Sequence, residues 1–331
     1  MGTDHTEMYI KAEDALKVIP KLPDLYDEPF SDSSQIPTFL VAEMTRKHVT
    51  VSLSGDAGDE VFGGYNRYLF VKRLWSVLEK LPHHLRGCLA SLMASVPISL
   101  WDKLYSIFRP FLPSRSQFAL PGDKIHKLSE IIGLNGPETI YQTLISNWKK
   151  PEELVIGIDS SSSIISPNKE WGLHENIENA MMALDTTNYL PDDILTKVDR
   201  AAMGVSLETR IPFLDHRVVE FAWSLPLEMK VREGQGKWIL RQVLYKYVPK
   251  ELIERPKMGF GMPIGDWLRG PLREWAESHL DDSRLRSEGF FNPAPIRKKW
   301  NEHLSGKRNW QYLLWNVLMF QAWLENEKVC A

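Results

Sequence analysis

Residues 49–65 read VTVSLSGDAGDEVFGGY, and the change of pattern inside this stretch decides the fold class. Val49, Val51 and Leu53 alternate with Thr50 and Ser52, the period of a short half-buried strand. Ser54-Gly55-Asp56-Ala57-Gly58 then reads as a tight turn, and Asp59-Glu60 open a helix. A strand feeding a small-residue loop and a helix is the kind of junction at which open α/β sheets hold their ligands. Small residues let backbone N–H groups approach an anion. Asp56, Asp59 and Glu60 offer the one or two carboxylates that Mg²⁺ accepts when phosphate oxygens complete its octahedron. Residue types alone support a plainer account equally well: Asp59 and Glu60 complement the helix dipole, and the glycines serve the turn.

Before this stretch the text is mixed, with a short strand expected at residues 7–10, a helix over residues 12–19 and another after Pro37. After it, residues 68–156 are helical, with Trp, Leu and Ile at spacings of three and four, broken by Pro82, Pro97, Pro110 and Pro121. The Ser-rich residues 159–166 read as a loop or linker. Helix is expected again over residues 171–190, and anew after Pro191, with Asp192 or Asp193 as N-cap. In that second helix Ile194, Val198, Ala201 and Val205 form a core-facing stripe, while Asp193, Lys197 and Arg200 share a polar face. Residues 309–324 are apolar nearly all round and should be buried among other helices.

Composition narrows the function classes. The 331 residues carry 40 Lys and Arg against 43 Asp and Glu, a net charge of -3, so no global field favours nucleic acid or anionic lipid. Any phosphate chemistry must be local. The two cysteines, Cys88 and Cys330, are too few and too far apart for a disulfide framework, which points to a reducing, cytoplasmic setting. Residues 1–10 lack a signal-peptide pattern, and the longest greasy run, residues 88–101, contains Pro97 and falls short of a membrane span.

Further clusters carry possible chemistry. Residues 255–263, RPKMGFGMP, set Lys257 in a Gly-rich loop, suited either to closing over developing negative charge or to an ordinary exposed turn. Asp193, Lys197, Arg200, Glu208, Arg210 and Asp215 read as a structural ion-pair network. Residues 234–238, GQGKW, fail as a Walker A loop, because the earlier Gly and the following Ser or Thr are absent. Gly259, Gly261 and Gly265 are spaced as GxGxxxG and do not follow a predicted strand, so a dinucleotide site is unsupported. Neither a zinc triad nor a GxSxG elbow occurs.

Five segments, VSLSGDAGDEVFGGYNRY at 51–68, YLPDDILTKVDRAAM at 189–203, LETRIPFLDHRVVEFA at 207–222, GQGKWILR at 234–241 and RPKMGFGMPIGDW at 255–267, closely resemble in content and order the synthetase domain of glutamine-dependent asparagine synthetases. The resemblance covers residues 1 to about 325. It implies an α/β fold of the ATP-pyrophosphatase type, similar to adenine nucleotide alpha hydrolases, with residues 1–70 as the remaining α/β nucleotide-binding part and residues 71–331 mainly helical. It implies ATP and Mg²⁺ as cofactors, and aspartate and ammonia as partners. A carboxylate of aspartate would attack the α-phosphate of ATP, and ammonia would then displace AMP. By this resemblance Ser54 and Gly55 lie against ATP, Asp56 acts in adenylate formation, Asp59 holds Mg²⁺ and pyrophosphate, and Lys257 stabilises charge on the reacting phosphate. Glu60, Tyr65, Lys197, Asp199 and Arg200 also match, where the resemblance implies support of the site or simple scaffold.

Two departures accompany the match. The SGGxDS-type loop that wraps pyrophosphate in that family occurs nowhere in the 331 residues, and residue 2 is Gly rather than the glutaminase cysteine. The expectation is therefore an N-terminally truncated synthetase domain whose strands at 7–10 and 49–53 lack the partners between them. That leaves open a homo-oligomer or a complementing N-terminal chain. Runner-up readings are an amidotransferase or cyclising ligase acting on another carboxylate, and a non-catalytic fragment that pairs with a full-length synthetase.

Overall fold

The computed structural model describes all residues except 1, 3, 109–120, 159–170, 255–260 and 331. Chain contacts divide it into two compact units, one formed by Met1–Tyr65, Lys150–Ser166 and Met182–Ala331, the other by Asn66–Lys149 and Pro167–Met181.

The first unit holds the strand-and-loop stretch. After a short helix, Ala12–Leu16, and the 3-10 turn Ile19–Lys21 come α1 (Leu22–Tyr26), α2 (Gln35–Arg46), β1 (Val51–Leu53) and the single turn α3 (Gly58–Val61). A π-helical run, Asp185–Leu195, continues without a break into α4 (Thr196–Met203), and β2 (Glu208–Arg210) follows. β2 lies parallel to β1 in the register Val51 to Glu208, Ser52 to Thr209 and Leu53 to Arg210. The pairing extends one residue further, where Ser54 N donates to Arg210 O at 2.8 Å. α4 packs on α2 and on β2, closing Ala42, Ala202 and Leu207 into a small apolar cluster with Val205. The protein is thus a mostly helical α/β chain with a small parallel sheet.

Beyond the sheet come α5 (His216–Ser224), α6 (Trp238–Leu244), α7 (Ile264–Arg269), α8 (Arg273–His279), α9 (Asp282–Glu288), α10 (Pro293–Leu304) and α11 (Gln311–Cys330). As its all-round apolar sequence predicts, α11 is central, with Leu314, Trp315 and Leu318 fully buried against the helices before it. Caps fit the sequence: Asp215, Asp281 and Asn292 accept backbone N–H groups at the starts of α5, α9 and α10.

The second unit is helical. Its helices His83–Ser95 and Ile98–Phe108 pack on Pro121–Ile132, and Asn66–Leu78 packs on Pro137–Ile145. Pro82, Pro97 and Pro121 each stand at or next to a helix start, where a residue without N–H costs nothing. Lys72 pairs with buried Glu178 inside this unit.

Three expectations are corrected. Residues 7–10 form no strand; a strand needs a partner ladder, and Tyr9 is 85% exposed. Residues 49–53 do contain a strand, but it pairs with β2, a strand the sequence reading missed, and its apolar row is the exposed one. Leu53 is 75% exposed, while Ser52 faces inward to share a hydrogen bond with Thr209 at 3.3 Å. No new helix starts at Pro191, because the chain passes through the proline in π geometry. The i→i+5 pattern absorbs a residue that lacks an N–H, and Thr196 Oγ1 donates to Pro191 O at 3.0 Å. The apolar stripe holds within that continuous run, with Ile194, Ala201 and Val205 packed inward. The Ser-rich residues 159–166 lie outside the described residues.

Candidate active-site loop

The loop after β1 is held from below and left open above. Ala57 and Phe62 are buried with Val61, Leu190 and Ala222 in one apolar cluster, and the Phe62 and Phe213 rings meet edge to face at 5.7 Å. This anchoring sustains the left-handed backbone of Ala57, φ 65°, a conformation that costs a non-glycine residue about 1–2 kcal/mol. Strain of that kind persists where surrounding packing over-determines it, and functional loops are common places for it.

Above the cluster stand the residues named from the sequence. Ser54 Oγ donates to the Asp56 carboxylate, and Asp56 N donates back to Ser54 Oγ at 3.4 Å, so the two side chains define one corner. Gly55 is exposed, and a Cβ there would meet nothing within 4 Å, leaving its backbone open to a ligand. Asp59 Oδ1 lies 3.0 Å from Lys237 Nζ, with both side chains partly exposed.

The turn at residues 234–237 forms the neighbouring wall. Lys237 N donates to Phe62 O at 3.1 Å, and a Cβ on Gly236 would stand 2.2 Å from Gly63 O. A Cβ on Gly64 would stand 1.9 Å from Asp59 Oδ1 and 2.3 Å from Lys237 Cε. These glycines are present because backbone meets backbone and an ion pair fills the remaining space. The 234–238 stretch, which fails as a Walker A loop and belongs to the segments that carry the resemblance, thus lies directly against the loop after β1.

Beneath the loop, Tyr65 donates its hydroxyl to Glu60, which is 1% exposed. Burial pushes the Glu60 carboxyl above its ordinary range; the Tyr65 hydrogen bond opposes this, and the charges of Asp59 and Asp185 add to it. Burial, followed by the Glu60 charge, raises Tyr65 well beyond the phenol range, so it remains a neutral donor. The Tyr65 and Tyr189 rings meet at 5.9 Å, linking this pair to the π-helical run.

The other named residues are placed elsewhere in the unit. Lys197 is buried and pairs with Asp32 at 2.7 Å, and its carbonyl accepts from Tyr26 at 3.2 Å. Arg200 pairs with Asp27 at 2.8 Å on the surface, and Asp199 is exposed. The expected polar network resolves into separate pairs: Lys197 with Asp32, Arg200 with Asp27, Arg210 with Glu208 and Asp215 with Arg217. Lys257, like all of residues 255–260, lies outside the described residues. Sequence reasoning also missed Lys230, which is 1% exposed in the segment beside Gly63 and sets its ammonium 4.5 Å from the Trp223 ring centre.

The donor set fits magnesium carried by a nucleotide. Among the described residues no three His, Cys, Asp or Glu side chains converge to hold a metal unaided. Mg²⁺ does not ask for that: it takes one or two carboxylates and fills its shell with phosphate and water. Asp59, partly exposed at the loop mouth and paired with Lys237, is a carboxylate on which such a partial shell would draw.

Open α/β sheets hold their ligands outside the carboxyl ends of their strands, and the Asp56 and Asp59 loop stands at the carboxyl end of parallel strand β1. The model of the family described as asparagine synthase matches residues 1–325, and the chain belongs to that family. It is 28% identical over 326 residues to asparagine synthetase [glutamine-hydrolyzing] 1 of Bacillus subtilis (strain 168), covering 98% of this chain and 48% of that protein. It is 28% identical over 338 residues to a putative asparagine synthetase [glutamine-hydrolyzing] of Mycobacterium tuberculosis (strain ATCC 25618 / H37Rv), covering 98% and 46%. A stretch of 84 residues is 51% identical to putative asparagine synthetase [glutamine-hydrolyzing] 2 of Methanocaldococcus jannaschii, covering 25% of this chain and 16% of that protein. The chain spans about half the length of the first two of these curated relatives. No helix among the described residues is long and apolar enough to cross a membrane.

Proposed function

We propose that this chain provides the synthetase part of an ATP-dependent amide ligase that converts aspartate to asparagine. The observation that carries the reading is the loop itself: Ser54, open Gly55, Asp56 and Asp59 stand together after a parallel strand, on a frame of Gly63, Gly64 and Gly236. In the proposed reaction a carboxylate oxygen of aspartate attacks the α-phosphorus of ATP, and the bond to the bridging oxygen breaks with its electron pair, releasing pyrophosphate. Ammonia nitrogen then attacks the acyl carbon of the aspartyl adenylate, AMP leaves, and the surplus proton passes to solvent or to a basic group.

Each residue has a task in this reading. Ser54 and the Gly55 backbone receive the nucleotide, with the Ser54 hydroxyl keeping Asp56 aimed. Asp56 acts in adenylate formation, and Asp59 is the carboxylate that would hold Mg²⁺. The metal, when bound, neutralises charge building on the departing pyrophosphate. Glu60 and Tyr65 fix the loop from beneath, and Lys257 would stabilise charge on the reacting phosphate, help of a kind worth several kcal/mol. Lys197 and Arg200 act as scaffold through Asp32 and Asp27. Glutamine hydrolysis and the pyrophosphate-wrapping SGGxDS loop have no counterpart motif in these residues, so ammonium is the nitrogen source to supply.

The test is release of AMP and pyrophosphate from Mg-ATP by the purified chain with ammonium and aspartate. The expected result is one AMP per asparagine formed, abolished by Asp59→Ala. Amidation of another carboxylate in place of aspartate would move the chain to the related ligases. A folded sample that forms no AMP with any acceptor would overturn catalysis by these residues alone.

A further inference from the structure

Lys237 received no role from the sequence, yet the fold spends several devices on placing it. Its backbone N–H donates to Phe62 O at 3.1 Å, and its φ of 56° is left-handed for a residue that has a side chain. Its Nζ reaches Asp59 Oδ1 at 3.0 Å, and the position of an added Gly58 Cβ at 3.6 Å. The pair exists because residue 64 is glycine: a methyl group there would overlap both Asp59 Oδ1 and Lys237 Cε. The side chains of Lys237 and Asp59 keep 30% and 25% of their exposure, which puts the ion pair at the mouth of the loop rather than in the core.

We propose that Lys237 is a placeholder cation that neutralises and aims Asp59 in the metal-free chain and yields that carboxylate to Mg²⁺ arriving with nucleotide phosphates. The inference rests on the reading of Asp59 as a metal ligand. An ammonium 3.0 Å from Oδ1 and a metal about 2.1 Å from a carboxylate oxygen would crowd two cations onto one carboxylate, and they repel. The phosphates bring the negative charge that lets the displaced ammonium remain in the site. Lysine suits such an exchange, being a compact charge on a flexible stem, whereas the arginine fork would clamp a carboxylate through two bonds.

Mn²⁺ replaces Mg²⁺ as the probe, titrated into the full 331-residue chain with free Mn²⁺ read by electron paramagnetic resonance. The titration is run alone and with the β,γ-methylene analogue of ATP. Lys237→Met is expected to bind Mn²⁺ alone at least threefold more tightly than wild type, and the Mn²⁺–analogue pair at least fivefold more weakly. Lys237→Arg is expected to bind Mn²⁺ alone no better than wild type. Should the Met variant fail to fold by circular dichroism, Lys237→Gln is read by the same criteria. Affinities within twofold of wild type in both titrations, weaker binding of Mn²⁺ alone, or no Mn²⁺ binding by either protein would overturn the proposal. Asp59→Asn separates the two levels: if it binds Mn²⁺ as wild type does, the reading of Asp59 falls and the placeholder role with it. Loss of binding in Asp59→Asn beside an indifferent Lys237→Met overturns the placeholder alone.

Discussion

Gly236 shows how a single absent methyl group holds the site together. Its backbone lies so close to Gly63 O that an added Cβ would stand 2.2 Å away, against a carbonyl that cannot swing aside. Gly236→Ala is expected to cost about 2 kcal/mol or more in urea unfolding, in the range of overpacked cores; an unchanged midpoint would contradict the contact. Gly64→Ala meets only side-chain ends, so it should cost less stability and more activity. Lys230 makes a different prediction. Burial pushes its amine down to about 8 from 10.5, and no carboxylate pairs with it among the described residues. Above pH 8 the folded chain has released a proton that the unfolded chain keeps, so stability rises with pH until about 10.5. Lys230→Met should flatten that rise and add about 1–3 kcal/mol at pH 7, measured by urea unfolding at pH 7 and 10. Asp32 works in the opposite direction. Burial alone would raise its carboxyl, but the charge and hydrogen bond of Lys197 and the bonds from Ser34 hold it below 3.8. Its stabilisation is therefore present above pH 4 and lost as pH falls through the lowered value. Asp32→Asn should remove that acid limb and cost about 2–4 kcal/mol at pH 7, since Lys197 is left buried and unpaired by its carboxylate.

At the scale of elements, the legible features were those with strong local chemistry. The strand-to-loop change at residue 54, the proline-marked helix starts and the burial of α11 could all be read from pattern. β2 could not, because three residues of polar character, Glu208-Thr209-Arg210, carry no alternation of their own and are strand only by pairing with β1. The π-helical run also escaped notice: Pro191 predicts a boundary by its missing N–H, and only the i→i+5 geometry shows that the chain continues. The same limit applies to the site. Ser54, Gly55, Asp56 and Asp59 fall within six residues and stood out, whereas Lys237 is brought to Asp59 from far along the chain by backbone contacts that no spacing encodes. β1 yields a prediction of its own. Leu53 is 75% exposed on the strand, so Leu53→Thr should change the unfolding free energy by less than about 0.5 kcal/mol. A loss above about 1 kcal/mol would mean that something covers that face in solution.

For the whole molecule, the first unit contains every described candidate residue, and the second is a helical body with its own packing. Membership in the asparagine synthase family rests on nearly the full chain, while the chemistry assigned to the loop rests on a dozen residues within it. The central claim is that these residues activate aspartate as an adenylate. Exchange of labelled pyrophosphate into ATP tests it without ammonia or a glutaminase, because label enters ATP only when adenylate formation reverses. The account predicts exchange that requires both Mg²⁺ and aspartate and disappears in Asp59→Asn. Exchange that proceeds equally without aspartate, or that survives Asp59→Asn unchanged, would contradict it.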